Sequence, residues 1–512
     1  MEINLLSKHT DDIQFHRTAH EENLIKDLKM ELLLECMSDN VTYLYEICKE
    51  VLIVPLIKQE DILWRQEVIK EAISYPELFE KAYNIATSTL EEIEGYREFT
   101  APKYYQIIKN SKKIITEVEM LEILINQLGE LCRLLEKDDF NLQREPLLQF
   151  KKRLMEQFDN AFFETIRAYI EELKLIKEQQ QMIVTGHLFL GFKRADWMLN
   201  SLCIKETQEN TVEVQRFWSR FLTTKESNNR CISLEETSTE NNVRELVEAN
   251  LEAVFKVLSR FNKELIRFFR GIRYQFGFYS CCSHLYNALT SAGVSCCFPE
   301  FDVNENSFSV KGLIDIGLVI KNREVVVGNT VSVKNKNLWL ITGANQGGKT
   351  TFLRSIGLGV LMAQSGLFVS ATFYKAKIFT GIFTHFPSEE DEHVNKGLLE
   401  MELERLAQII KYIRPNGLLL MNESFATTTE KEGAHIAEEV TRAFRECDIM
   451  TVFVTHLFEY ADTLYKTQPS DVSFYRATRK TDGMRTYEIK EGKPIDSNNG
   501  MDLYVSSIER EF

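Results

Sequence analysis

Eight consecutive residues, Gly343-Ala344-Asn345-Gln346-Gly347-Gly348-Lys349-Thr350, have the types and spacing to hold a polyphosphate. Such an anion needs several backbone N–H groups pointing inward, and a side chain at Cβ would block the approach. Hence Gly343, Gly347 and Gly348. Lys349 supplies a mobile positive charge for the β- and γ-phosphates, and Thr350 offers a hydroxyl to Mg²⁺. The apolar run Leu338-Trp339-Leu340-Ile341 predicts a strand before the loop. Thr351 to Ile356 predicts a helix after it, with its positive dipole end at the anion. Strand, glycine loop, Lys-Thr and helix make a P-loop. A glycine turn matching by chance does not account for both flanks. The expected ATP-binding residues are Gly343, Ala344, Asn345, Gln346, Gly347, Gly348, Lys349, Thr350 and Thr351.

Two later strand ends supply groups that act on phosphate. Leu418-Leu419-Leu420-Met421 reads as a buried strand ending in Asn422-Glu423, which is Walker B geometry. Glu423 polarises the attacking water, and the preceding position normally carries an acid for the Mg²⁺ shell. Asn422 reaches the metal only through a water and brings no negative charge, so slow hydrolysis is expected. Thr451-Val452-Phe453-Val454-Thr455 leads to His456, beside the γ-phosphate as a sensor or water orienter. The catalytic set is therefore Lys349, Glu423 and His456, and the metal set Thr350, Asn422 and Glu423. Thr427, Thr428 and Thr429 either cap the following helix or face a partner.

The elements that position these groups fall into two regimes. Up to about residue 300 the pattern is helical. Leu28, Leu32 and Leu33 recur at helical spacing, Ser38-Asp39-Asn40 reads as a cap, and Asp61 to Ile69 opens an acidic-ended helix. Trp64 and Arg65 there read as core packing and a structural ion pair. Leu121, Leu124, Leu128, Leu131 and Leu135 form the stripe of one long helix; Phe150 to Ile170 predicts a second, opening near Pro146. Single apolar stripes of this length suggest an antiparallel arm. Residues 183–203 are either short strands or the top of that arm, and 223–242 read as a polar loop. A long helix returns from Val243 to Ile272. Its Lys263, Arg267, Arg270 and Arg273 are a candidate DNA-contacting stripe; a solvated face that compensates the helix dipole is the alternative. Cys281, Cys282, His284, Cys296 and Cys297 lack the Cys-x-x-Cys spacing of a zinc site and read as buried thiols.

From Phe308 onward the chain turns β-rich. Strands are expected at 312–320, 324–327, 331–333, 378–380, 417–421 and 450–454, with helices between the later ones, which is an α/β nucleotide-binding domain. At 512 residues the chain has room for two to four domains. Its net charge of −15 does not advertise bulk affinity for nucleic acid, so any DNA contact needs a local basic patch or an assembly. No apolar run spans a bilayer, and the first residues carry no export signal. The ten cysteines then read as reduced thiols of a cytoplasmic protein.

Thr342 to Thr351, Asn422 to Gly433 and Thr455-His456-Leu457-Phe458-Glu459 resemble the ATPase domain of the MutS DNA mismatch-repair family. That family has a Gly-Pro-Asn-Met-Gly-Gly-Lys-Ser-Thr loop, an Asp-Glu with a Gly/Thr/Ser-rich run, and a Thr-His-Tyr-Phe-Glu strand end. Asn345, Thr428 and Phe458-Glu459 are not required by a generic P-loop. Residues 25–300 resemble the family's helical core and lever arms more weakly. The fold class implied is α + α/β, an all-helical core and lever-arm region followed by an ABC-type P-loop ATPase domain. The domains expected are a helical core over 1–110, an arm or clamp over 111–242, a returning lever helix over 243–300 and the ATPase over 301–512. The resemblance also implies dimerisation, as a homodimer or with another MutS-like subunit, and helical arms around double-stranded, structured or mismatched DNA. Departures are Asn422 for the acid, no serine at Asn395-Lys396-Gly397-Leu398, no mismatch-reading domain before Leu28 and no helix-turn-helix or nuclease tail.

The leading expectation is a MutS-like ATPase acting on DNA structure. The alternative is a weakly hydrolysing ATP-binding scaffold that pairs with another MutS-like chain. An ABC transporter ATPase fits less well, because a Leu-Ser-Gly-Gly-Gln-type segment is absent and the first half is helical.

Overall fold

The computed structural model describes residues 4–8, 19–98, 110–137, 140–179, 185–188, 195–198, 239–302, 306–322, 326–344, 346–387, 397–479 and 485–495. Among the described residues, the elements in chain order begin with eight helices. They are α1 (Ala19–Leu28), α2 (Met30–Ser38), α3 (Thr42–Leu52), α4 (Gln59–Ser74), α5 (Pro76–Glu98), α6 (Asn110–Glu136), α7 (Glu145–Gln157) and α8 (Asn160–Gln179). Strands β1 (Thr185–Leu188) and β2 (Ala195–Met198) precede the 53-residue helix α9 (Thr239–Ser291). Then come β3 (Glu300–Phe301), β4 (Ser307–Leu313), α10 (Ile316–Asn322), β5 (Asn329–Lys334), β6 (Leu338–Thr342), α11 (Lys349–Gln364), β7 (Phe373–Ala376) and β8 (Ile382–His385). The chain continues through α12 (Leu398–Tyr412), β9 (Leu418–Asn422), α13 (Glu430–Glu446), β10 (Met450–Val454), α14 (Phe458–Thr467), β11 (Val472–Arg479) and β12 (Arg485–Glu491).

The chain divides into two compact units. The first holds residues 81–140 and 151–273. There the α6 stripe, Leu121 to Leu135, is buried as its period requires, and Phe158, Phe162, Ile166 and Ile170 present the matching face. Lys174 of α8 pairs with Glu122 of α6 at 2.7 Å, and Asn262 of α9 donates to the Glu117 carboxylate at 2.7 Å. The expected second arm helix is in fact two, α7 and α8. Asp159 ends the run because its Oδ1 accepts from the Phe162 N–H at 2.7 Å and caps a new helix. β1 and β2 form an antiparallel pair. Of the expected polar loop, 223–238 lie outside the described residues, and 239–242 begin α9.

The second unit holds residues 4–80, 141–150 and 274–512. Its six-stranded sheet runs β12-β11-β6-β10-β9-β8, with β11, β6, β10, β9 and β8 parallel and β12 antiparallel. Every residue of β6, β9 and β10 is buried, which explains their near-continuous apolar sequences. A four-stranded sheet, β3-β7-β4-β5, meets it through Trp339 of β6, whose ring lies 5.2 Å from Phe308 of β4.

Several local expectations fail for local reasons. Ile316 to Ile320 belong to α10 rather than a strand, because the Asp315 carboxylate accepts from the Leu318 N–H at 3.1 Å and starts a helix. Val326 and Val327 lie in no strand; Glu324 and Val325 lie outside the described residues. Residues 378–380 are not a strand either. The Gln364 side chain takes both backbone bonds of Phe379, at 2.8 Å each, in place of a neighbouring strand. Asp39 closes α2 in a left-handed conformation, and Val41, which has no capping side chain, precedes α3. Arg65 donates to the Leu6 and Ser365 carbonyls, at 2.9 and 3.3 Å, where a carboxylate was expected.

Candidate nucleotide-binding site

Strand order assembles the site. β10 lies between β6 and β9, so the carboxyl ends of three adjacent strands deliver the glycine loop, His456 and Asn422-Glu423 to one edge. The loop's glycines have two reasons to be glycine. Gly343 and Gly348 sit at φ +125° and +90°, and a Cβ on Gly347 would lie 2.9 Å from the Ala477 Cβ of β11. α11 starts at Lys349 with Gly348 as its N-cap, which aims the helix dipole into the loop.

Lys349 is buried, 4% exposed, and its ammonium donates to the Gly343 and Ala344 carbonyls at 2.6 and 3.1 Å. Burial pushes its pKa down to about 8, against the pull of Glu423. Glu423 sits at φ +51°, just beyond β9, with its N–H bonded to the Val454 carbonyl at 2.7 Å. Its Oε1 is 3.0 Å from His456 Nε2. That hydrogen bond holds the carboxyl below its ordinary range despite burial, so Glu423 is an anion at neutral pH. The pairing assigns the Nε2–H tautomer to His456. Lys349 Nζ is 3.5 Å from the same nitrogen. Thr350 Oγ1 donates to Asn422 Oδ1 at 2.9 Å.

This donor set fits a triphosphate and a hard cation. Loop N–H groups, a helix N-terminus and a lysine suit phosphate oxygens. Thr350, Asn422 and Glu423 present oxygens, as Mg²⁺ prefers, with a single negative charge among them. Thr351 is half-buried in the first turn of α11; Gln346 is exposed at φ +59°; Asn345 lies outside the described residues. Thr429 caps α13, its hydroxyl accepting from the Glu432 N–H at 3.4 Å, and Thr428 bonds the Glu432 carboxylate.

Sequence reasoning missed the layer behind Glu423. His385, at the end of β8, lies 2.7 Å from Ser424 Oγ through Nδ1 and 3.0 Å from the Glu402 carbonyl through Nε2. Burial lowers its pKa to about 4, so it is neutral, donating through Nε2–H and accepting the Ser424 hydroxyl. The Glu402 carboxyl accepts from the Phe425 N–H at 3.2 Å and the Thr427 hydroxyl at 3.1 Å. The only signal was that His385 ends a strand as His456 does; no motif links it to Glu402.

The basic stripe is on α9. Lys263, Arg267 and Arg270 are exposed, Arg273 is half-buried, and Arg267 lies 3.8 Å from Glu264. Cys281 and Cys282 are buried while His284 is exposed, and no metal-binding group of His, Cys, Asp or Glu forms among the described residues. Among those residues no helix is long and apolar enough to cross a membrane.

Fold and site together define a mixed helix-and-sheet protein with a glycine loop, a carboxylate and a histidine at the carboxyl edge of a largely parallel sheet. Two family models match it, the MutS2 N-terminal domain over residues 58–292 and MutS domain V over residues 339–507. The chain belongs to the MutS family. It is 37% identical to the DNA mismatch repair protein MutS of Thermus aquaticus over 141 residues, 28% of this chain and 17% of that one. It is 29% identical to MutS protein homolog 4 of Mus musculus over 189 residues, 36% of this chain and 20% of that one. It is 32% identical to endonuclease MutS2 of Alkaliphilus metalliredigens over 191 residues, 35% of this chain and 24% of that one. The aligned segments thus span about a fifth of these relatives' length.

Proposed function

We propose that the chain binds ATP with Mg²⁺ at the Gly343–Thr351 loop, hydrolyses it slowly, and uses the cycle to open and close a dimeric clamp on DNA. The observation that carries the ATPase reading is the cluster of Lys349, Glu423 and His456 at the mouth of that loop. Lys349 exchanges its loop carbonyls for phosphate oxygens. Glu423, ionised and oriented by His456, accepts a proton from the attacking water. Mg²⁺ supplies charge neutralisation, and Thr350 and Asn422 hold its shell. The relatives' names support DNA as the partner, and Lys263, Arg267, Arg270 and Arg273 are its candidate contacts. The second subunit is a copy of this chain or another MutS-like chain. The domain boundaries expected from the sequence remain part of this reading.

Steady-state hydrolysis by the full chain tests it. Turnover should vanish in Lys349→Ala; equal turnover in wild type and variant would sink the assignment. Affinity should also depend on pH. Bound phosphate restores Lys349 towards an ordinary lysine pKa, so binding takes up a proton above pH 8. ATP affinity should fall about ten-fold from pH 7 to pH 9, beyond any trend in Lys349→Ala.

A scaffold that binds ATP with little turnover is the second reading, favoured by the uncharged Asn422 at the Thr350 hydroxyl. Asn422→Asp keeps an acceptor for that hydroxyl and adds the missing charge. Turnover should rise; no change would show that metal charge is not limiting. On the DNA side, reversing Arg267 and Arg270 to Glu should weaken duplex binding and flatten its salt dependence by about two charges. Unchanged affinity and slope would remove α9 from the interface.

A further inference from the structure

The turn that carries Glu423 contains two residues in a conformation that side chains avoid. Glu423 sits at φ +51° and Phe425 at φ +66°, with the fully buried Ser424 between them. Strain of this kind persists only where the surroundings over-determine it, and it clusters at active sites. Four elements hold this turn. From β10 the Val454 carbonyl accepts from the Glu423 N–H at 2.7 Å. From β8 His385 holds the Ser424 hydroxyl at 2.7 Å. From α13 Gly433 lies so close that a Cβ there would meet the Phe425 carbonyl oxygen at 2.5 Å. From α12 Glu402 Oε2 accepts from both the Phe425 N–H, at 3.2 Å, and the Thr427 hydroxyl, at 3.1 Å.

Glu402 is the member of this set that packing does not explain. The buried face of α12 runs Glu402, Leu406, Ile409 at helical spacing, so the period calls for an apolar residue at its first position. The glutamate there is 4% exposed, and among the described residues its Oε1 has no hydrogen-bond partner. Burying such a group costs stability that a leucine would not. What it contributes is direction: one oxygen fixes two donors just beyond Ser424. Without it Phe425 is free to leave the left-handed region, and the rotation passes back through Ser424 to Glu423. The Glu423 carboxylate, 3.0 Å from His456, would then lose its aim.

We infer that Glu402 is a positioning residue for hydrolysis, holding the Glu423–Phe425 turn so that the Glu423 carboxylate faces the attacking water; the inference rests on Glu423 acting as the base. The test is kcat, KM and calorimetric ATP binding of the full chain as wild type, Glu402→Leu, Glu402→Gln, Glu423→Gln and the double variant Glu402→Leu with Glu423→Gln. Leucine suits the α12 stripe but accepts from neither donor. Glu402→Leu should lower kcat by up to about 100-fold, the scale of a misplaced catalytic group, and leave KM and ATP affinity unchanged. Glu402→Gln keeps an acceptor oxygen and should recover most of that loss. In the Glu423→Gln background Glu402→Leu should cost nothing further, because a residue that acts through the base has no base left to place. Where Glu402→Leu does not fold, Glu402→Asp, which stops a methylene short of Phe425, carries the same expectation. Unchanged kcat in Glu402→Leu, a matching loss of ATP affinity, or a further loss in the double variant would overturn the positioning role while leaving the base standing. Wild type without turnover, or Glu423→Gln with wild-type turnover, would overturn the base itself and this role with it.

Discussion

Glu423→Gln is expected to lower ATP turnover by about 10²- to 10⁴-fold while ATP binding survives. The amide keeps the shape and can still face His456, whose ring lies 3.0 Å from the present carboxylate. It cannot take a proton. On the proposed reading binding survives, because the loop backbone, the α11 N-terminus and Lys349 would contact the phosphates independently of that proton transfer. The pair of measurements separates roles. A fall in turnover with affinity retained identifies Glu423 as the base. A fall in affinity alone would make it a structural anion, and unchanged turnover would remove it from the reaction. His456→Ala should cost less than Glu423→Gln, since it orients the base rather than accepting the proton.

The largest stability effect is expected from Arg405 on α12. Its guanidinium pairs with the Asp27 carboxylate of α1 and donates to the Thr384 and Phe386 carbonyls at 3.1 and 2.8 Å. The Asp27 side chain is buried and that of Arg405 half-buried, and burial holds the Asp27 carboxyl above its ordinary range even with Arg405 beside it. Arg405→Met removes the countercharge and leaves a buried carboxylate and two carbonyls without their donor. The expected loss is about 3–5 kcal/mol at neutral pH, read as a lower urea midpoint with an unchanged slope. The sign of the pH dependence follows from the raised pKa. A folded state that binds the Asp27 proton more tightly than the unfolded chain gains stability as pH falls. The deficit of the variant should therefore shrink in acid, where a protonated Asp27 needs no countercharge. A deficit that does not depend on pH would mean that Arg405 acts by packing alone.

The primary sequence by itself determined the strand, glycine loop and helix around Lys349, the strand ends at Asn422-Glu423 and His456, and the mixed helix-and-sheet class. These are readable because each depends on neighbours within a few residues: an apolar run, a glycine where φ is positive, a helix start. The register of the family resemblance is equally local. Tertiary structure alone decided which strand ends meet. Placing β10 between β6 and β9 brings His456 to Glu423, 33 residues away in sequence, and that order is a property of the whole sheet. The same holds for Gln364 replacing a strand beside Phe379, for Ala477 requiring Gly347, and for Glu402 holding the turn after Glu423. Each pairs groups from separate elements whose burial and spacing are set by packing, and no pattern along the chain encodes a distance between elements.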